Sequence, residues 1–193
     1  MKFIGFYDYT VVLTYVSLVS AFLGMTLAAG GSFGGAVACL MLSGLCDAFD
    51  GMVARSKKNR TADEKAFGIQ LDSLCDAVSF GVFPAYLCRC MGVDGVFGTV
   101  CACLFCICAV IRLAYFNVLE GKRQQTEGGI NKFYRGLPVT SVSMILPPVY
   151  LLRFVLSEAA FVAVLHGMLL LVAFLFVLDF KVPKLDLSKL LRR

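Results

Sequence analysis

Six long apolar runs, parted by short polar or glycine-rich stretches, dominate this chain. They cover residues 9–30, 34–54, 67–90, 95–118, 138–155 and 159–179. Each is close to the roughly 20 residues an α-helix needs to cross the hydrocarbon layer of a bilayer. The pattern predicts an all-α, polytopic integral membrane protein with six transmembrane helices in one bundle, forming a single domain over residues 1–193. Glycines in AAGGSFGG (28–35) and GVDG (92–95) predict tight connections. Pro84 predicts a break or kink in the third helix, and LPPVY (146–150) one in the fifth, because proline removes a helix hydrogen bond. The first run, Val11 to Ala29, is long enough to span and follows a single basic residue, Lys2. It is read as a membrane helix rather than a cleavable signal.

Composition agrees with the pattern. Hydrophobic residues make up 59% of the 193 and charged residues only 16%, against about 25% charged in a soluble domain. Mean hydropathy is +0.82. An even number of spans puts both termini and the loops after the second and fourth helices on one side. That side carries 16 of the 18 Lys and Arg residues, leaving only Arg89 and Arg153 towards the other. Basic residues concentrate on the cytoplasmic face of membrane proteins. The expectation is a multi-pass cell-membrane protein with both termini cytoplasmic. The nine cysteines sit mostly inside apolar runs, and Cys101, Cys103, Cys106 and Cys108 lack the paired framework and polar turn of a zinc site. They read as small packing residues. So does the lone His166, inside the sixth run.

Four aspartates break the apolar pattern: Asp47 and Asp50 in GLCDAFDGMVAR (44–55), Asp72 and Asp76 in GIQLDSLCDAVSFG (68–81). A carboxylate in the bilayer core costs at least about 2.5 kcal/mol by insertion scales. Asp47, Asp50, Gly51 and Ala54 fall within an arc of about 100° on one helix face. Gly68, Asp72 and Asp76, spaced by four, form a second stripe. The two helices are antiparallel, so the stripes can face each other. Converging carboxylates repel unless cations neutralise them, and divalent metal suits an all-oxygen donor set. Metals held this way can neutralise and align a pyrophosphate, a free carboxylate can accept a hydroxyl proton, and Arg55 suits a phosphate oxygen. Alternatively, the aspartates pair with Arg55, Lys57 or Lys58 and fix helix register, or line a divalent-cation transporter. Neither alternative explains the glycines at their spacing. The chain has no phosphate-binding P-loop, GxSxG elbow or HExxH.

Asp47, Asp50, Gly51, Ala54, Arg55, Gly68, Asp72 and Asp76 together resemble the signature of the CDP-alcohol phosphotransferase family, D-x2-D-G-x2-A-R followed by G-x3-D-x3-D. Twelve residues, more than the usual spacer, separate Arg55 from Gly68. DSLCDAVSFGVFPA (72–85), IRLAYFNV (111–118) and FYRGLPVTS (133–141) are similar to segments of the family's serine-using branch. Tyr115 stands where that branch commonly has a second arginine. Leu13-Thr14 matches the family's L-T, without the preceding Pro-Asn. The resemblance implies a homodimer that transfers a phosphatidyl group from CDP-diacylglycerol to L-serine, releasing CMP. It implies Asp47, Asp50, Asp72 and Asp76 as ligands of two magnesium or manganese ions, with Asp76 also the general base. Asp47, Gly51, Ala54, Arg55 and Gly68 would contact or make room for CDP. Arg112, Asn117 and Arg135 would hold a lipid phosphate or the serine carboxylate. Glycerol 3-phosphate or an inositol phosphate remains an alternative acceptor within the family.

Overall fold

The computed structural model describes residues 4–7, 9–56, 61–125 and 133–183. The helices are α1 (Val12–Ala29), α2 (Phe33–Ser56), α3 (Ala62–Asp76), α4 (Phe83–Cys90), α5 (Gly95–Gln125), α6 (Val142–Leu151) and α7 (Glu158–Val177). A π-helical segment, Ala77–Val82, joins α3 to α4, so Ala62–Cys90 is one continuous span. Among the described residues, five spans are long and apolar enough to cross a membrane, and Val139–Phe154 forms a shorter apolar sixth. The fold is thus an all-helical, polytopic bundle. The described residues add to the expected architecture a small antiparallel ribbon, β1 (Phe133–Arg135) with β2 (Lys181–Pro183), in which Tyr134 faces Val182.

Local chemistry explains where elements begin and turn. The third span starts at Ala62, five residues before its apolar run, because Thr61 and Glu64 form a capping box. The Glu64 amide donates to Thr61 Oγ1 at 3.1 Å, and the Thr61 amide donates to Glu64 Oε2 at 2.7 Å. Pro84 does not break this span. It sits in the first turn of α4, directly after the π-helical segment. Proline lacks an N–H and its ring presses on the carbonyl four residues back, and the wider π turn absorbs both defects. The turn between α1 and α2 uses Gly31 at φ +78°, a left-handed conformation that side chains disfavour.

Helix packing relies on small and hydroxylated residues, as expected where lipid supplies no hydrophobic drive between helices. α1 and α2 form the most extensive pair. Ser43 Oγ donates to the Ser17 carbonyl at 3.0 Å, and Ser20 Oγ donates to the Cys39 carbonyl at 3.0 Å. Ser79, in the π segment, reaches Ser17 at 3.5 Å. Each hydroxyl satisfies itself on a neighbouring helix, so polar groups become crossing points rather than penalties. The apolar core sits between these helices and α5–α7, where Phe80, Phe83, Phe105 and Phe176 are fully buried. Outward faces carry apolar side chains such as Phe22, Leu104 and Phe174, as a lipid environment requires.

Gly24 marks the closest approach of α1 to its neighbours. A Cβ there would clash with the edge of the Phe83 ring and lie 2.9 Å from Cys39 Cβ. Gly24→Val should therefore destabilise the bundle by about 1–3 kcal/mol, the usual cost of overpacking. A lowered midpoint of thermal unfolding in detergent checks this, and an unchanged midpoint would contradict the packing described.

Candidate active site

The aspartates meet between the C-terminal half of α2 and α3. Carboxylate oxygens of Asp47, Asp50 and Asp72 all lie within 4.8 Å of one another. Asp76 completes the group: its carboxyl is in hydrogen-bond contact with that of Asp47, as Asp50 is with Asp72. Two carboxyl pairs therefore face each other across the helix interface, each pair needing a shared proton or a cation. Asp76 is the most buried, at 9% exposure, while Asp47 and Asp72 are half-buried. The hydroxyl of Thr14 in α1 donates to Asp50 Oδ2 at 3.4 Å, which gives the Leu13-Thr14 match a physical role. Hard oxygen donors converging from two helices fit a hard divalent cation.

Asp47, Asp72 and Asp76 open into a cavity of about 920 Å³. Its other walls are largely apolar, including Met41, Leu45, Leu113, Phe116 and Met144. α6 forms one wall because Gly44 of α2 lets it approach; a Cβ at Gly44 would lie 2.6 Å from Ser143 Cβ. Arg112 of α5 also lines this cavity. It is buried, donates from Nε to the Leu137 carbonyl at 3.2 Å, and sets its guanidinium 5.7 Å from the centre of the Phe116 ring.

The other expected site residues divide. Gly51 and Gly68 are half-buried, on the stripes but outside the cavity lining. Asn117 is a tie between helices: Ser73 Oγ donates to its Oδ1 at 2.8 Å. The side chains of Ala54, Arg55 and Arg135 lie outside the described residues. His166 accordingly packs, stacked on Phe97 at 5.2 Å with Nδ1 2.8 Å from the Val162 carbonyl. Sequence reasoning did not single out Ser73, Gly44, Ser143 or the Leu137 carbonyl. Ser73, Gly44 and Leu137 lie inside the motif segments, but their roles, like that of Ser143, come from contacts between parts of the chain distant in sequence.

The model of the CDP-alcohol phosphatidyltransferase family matches residues 9–178. The chain belongs to that family. Among curated proteins it is 34% identical to archaetidylserine synthase of Methanothermobacter thermautotrophicus, covering 82% of this chain and 65% of the relative. It is 37% identical to CDP-diacylglycerol–serine O-phosphatidyltransferase of Saccharomyces cerevisiae, covering 58% of this chain and 41% of that one. The protein of the same name from Methanocaldococcus jannaschii is 33% identical over 68% of this chain and 56% of its own length. The chain thus aligns with about two-fifths to two-thirds of the lengths of these relatives. No solved structure matches it.

If the aspartates bind a divalent cation, Mn²⁺ should raise the melting temperature of the wild-type protein in detergent, because a ligand of the native state stabilises it. Asp47→Ala and Asp72→Ala should each abolish most of that increment. An equal increment in all three proteins would place the cation elsewhere.

Proposed function

We propose that the protein is a CDP-diacylglycerol–serine O-phosphatidyltransferase, converting CDP-diacylglycerol and L-serine into phosphatidylserine and CMP. This reading rests on one juxtaposition: a carboxylate cluster opening into a large, mostly apolar cavity between membrane-spanning helices. A lipid pyrophosphate needs both halves, charge neutralisation for the phosphates and an apolar wall for the acyl chains. The names of the three relatives all carry serine, which favours it as acceptor over glycerol 3-phosphate or an inositol phosphate.

Asp47, Asp50, Asp72 and Asp76 would hold two magnesium or manganese ions, whose positive charge neutralises the pyrophosphate and the leaving phosphate when bound. Met41, Leu45, Leu113, Phe116 and Met144 receive the lipid chains. Gly51, Ala54, Arg55 and Gly68 would contact or make room for the CDP moiety, Arg55 as a forked donor to a phosphate oxygen. The serine hydroxyl oxygen forms a bond to the phosphorus next to diacylglycerol. Its proton passes to the Asp76 carboxylate, and the bond from that phosphorus to CMP breaks. The placement of basic residues orients the site and both termini to the cytoplasmic side of the cell membrane, and the family resemblance supports a homodimer.

Purified protein in detergent with CDP-diacylglycerol and Mn²⁺ or Mg²⁺ should release CMP when serine is added. Glycerol 3-phosphate or inositol 1-phosphate should not replace it. Release with another acceptor would keep the family and change the substrate; no release in folded protein would favour the transporter reading. Asp76→Asn should lower kcat by at least about 100-fold, the low end for loss of a general base, with helicity unchanged. Near-wild-type turnover in that variant would remove Asp76 from the proton transfer.

A further inference from the structure

The basic residues leave one cation unaccounted for. Only Arg89 and Arg153 lie towards the end of the bundle opposite the aspartates, and the structure separates the two. Arg89 is engaged within its own turn, where Nη1 donates to the Val93 carbonyl at 3.2 Å and to Thr99 Oγ1 at 3.3 Å. Arg153 makes no hydrogen bond or ion pair among the described residues. Its guanidinium lies over the Phe33 ring, 4.9 Å from the centre, a contact that orients the cation without neutralising it. Glu158, the acidic residue closest to it in sequence, is exposed and forms no ion pair with it.

Arg153 sits in the turn between α6 and α7. The chain is exposed without interruption from Leu151 to Ala159, and Leu151, Leu152, Phe154, Val155 and Leu156 make most of that stretch apolar. Phe154 is 74% and Val155 82% exposed. A continuous exposed apolar strip marks a contact with a membrane or a partner. The turn is ordered by its own bonds. The amides of Val155 and Leu156 donate to the Leu152 carbonyl at 3.1 and 2.9 Å, and the Ala160 amide donates to Ser157 Oγ at 3.4 Å. Tyr150 meets Phe154 edge-on, with ring centres 5.9 Å apart. Backbone groups bonded within the turn are what contact with lipid requires.

Length and charge select lipid as the occupant. Val139–Phe154 comprises ten α-helical residues between two three-residue 3₁₀ turns, a rise of about 27 Å. The hydrocarbon layer is about 30 Å thick. A span of that length ends at the hydrocarbon boundary and does not carry its turn out into water. There the apolar strip meets acyl chains, and the forked donors of the guanidinium meet headgroup phosphates. An anchor at this point also has something to hold. Pro147 and Pro148 supply no N–H to the carbonyls of Ser143 and Met144, so the hydrogen-bond ladder of α6 is weak.

We propose that the α6–α7 turn is a lipid-docking surface in the leaflet opposite the aspartate site. Arg153 binds the phosphate of an anionic phospholipid headgroup, and the strip from Leu151 to Leu156 rests on the acyl chains beneath it. The contact fixes the far end of α6, one wall of the larger cavity. The chain contains no tryptophan, so Phe154→Trp gives the full-length protein a single fluorophore in this turn. The variant is reconstituted in vesicles of phosphatidylcholine and phosphatidylglycerol, with one lipid or the other brominated. Its emission should be blue-shifted and quenched by both. At equal mole fraction, phosphatidylglycerol should be preferred at the site by about fivefold, as expected for one basic residue at an anionic surface. Adding Arg153→Gln should abolish that preference, and Arg153→Lys should retain part of it. Val155→Trp serves as the reporter if Phe154→Trp loses native helicity. Water-like emission without bromine quenching would overturn the proposal. So would blue-shifted emission without quenching, which would mean that a second copy of the chain or another protein covers the turn. Equal quenching by the two lipids, or a preference that survives Arg153→Gln, would equally overturn it by removing the headgroup site.

Discussion

Bringing four carboxyl groups together inside a bundle of membrane helices is the constraint on which the rest of this structure depends. Asp47, Asp50, Asp72 and Asp76 repel as anions, and the low-dielectric surroundings strengthen that repulsion. Helix packing must therefore hold α2 and α3 in register without help from the aspartates themselves. The reciprocal hydroxyl contacts of Ser17, Ser20 and Ser43 fix α1 to α2, and Ser79 ties the third span to the same helix pair. Thr14 reaches from α1 to Asp50, and Ser73 and Asn117 join α3 to α5. The site is a charged interface clamped by neutral hydrogen bonds on either side.

Much of this was legible in the sequence, for reasons that differ from element to element. Hydropathy marks the spans because a helix in lipid must be apolar along its length. The aspartate stripes stand out because carboxylates are rare there and their spacing follows the helical period. Where hydropathy and capping disagreed, at Thr61 to Glu64, capping placed the helix start and the polar first turn extended beyond the apolar run. Pro84 indicated an irregularity, but a sharp break and a π segment look alike in sequence. The Arg112–Leu137 bond and the β1–β2 ribbon were not legible. They join residues distant in the chain, and three-residue strands carry no periodicity to read.

The interior holds a larger and a smaller cavity that the aspartate motif alone does not suggest. The larger is walled mainly by apolar side chains from α2, α5 and α6, and the smaller is assembled at the ends of α5 and α7. Arg112 stands between them, held by a backbone carbonyl and an aromatic face rather than by a carboxylate. A neutral carbonyl partner orients the guanidinium and leaves its charge uncancelled. In a site rich in aspartates, that keeps the cation from being drawn into a permanent ion pair.

The π-helical turn after Asp76 also sets the phase of the third span. A π bulge accommodates roughly one additional residue, and one residue corresponds to about 100° of helical rotation. Everything beyond Val82 is thus turned relative to the face that carries Asp72 and Asp76. α3 can present its carboxylates to α2 while α4 presents Phe83 and Leu87 to the core beside α1 and α5. An unbroken helix would tie those two orientations to a single dial. With the turn in place, the charged half and the packed half of one span are indexed separately, and sequence can drift in one without rotating the other.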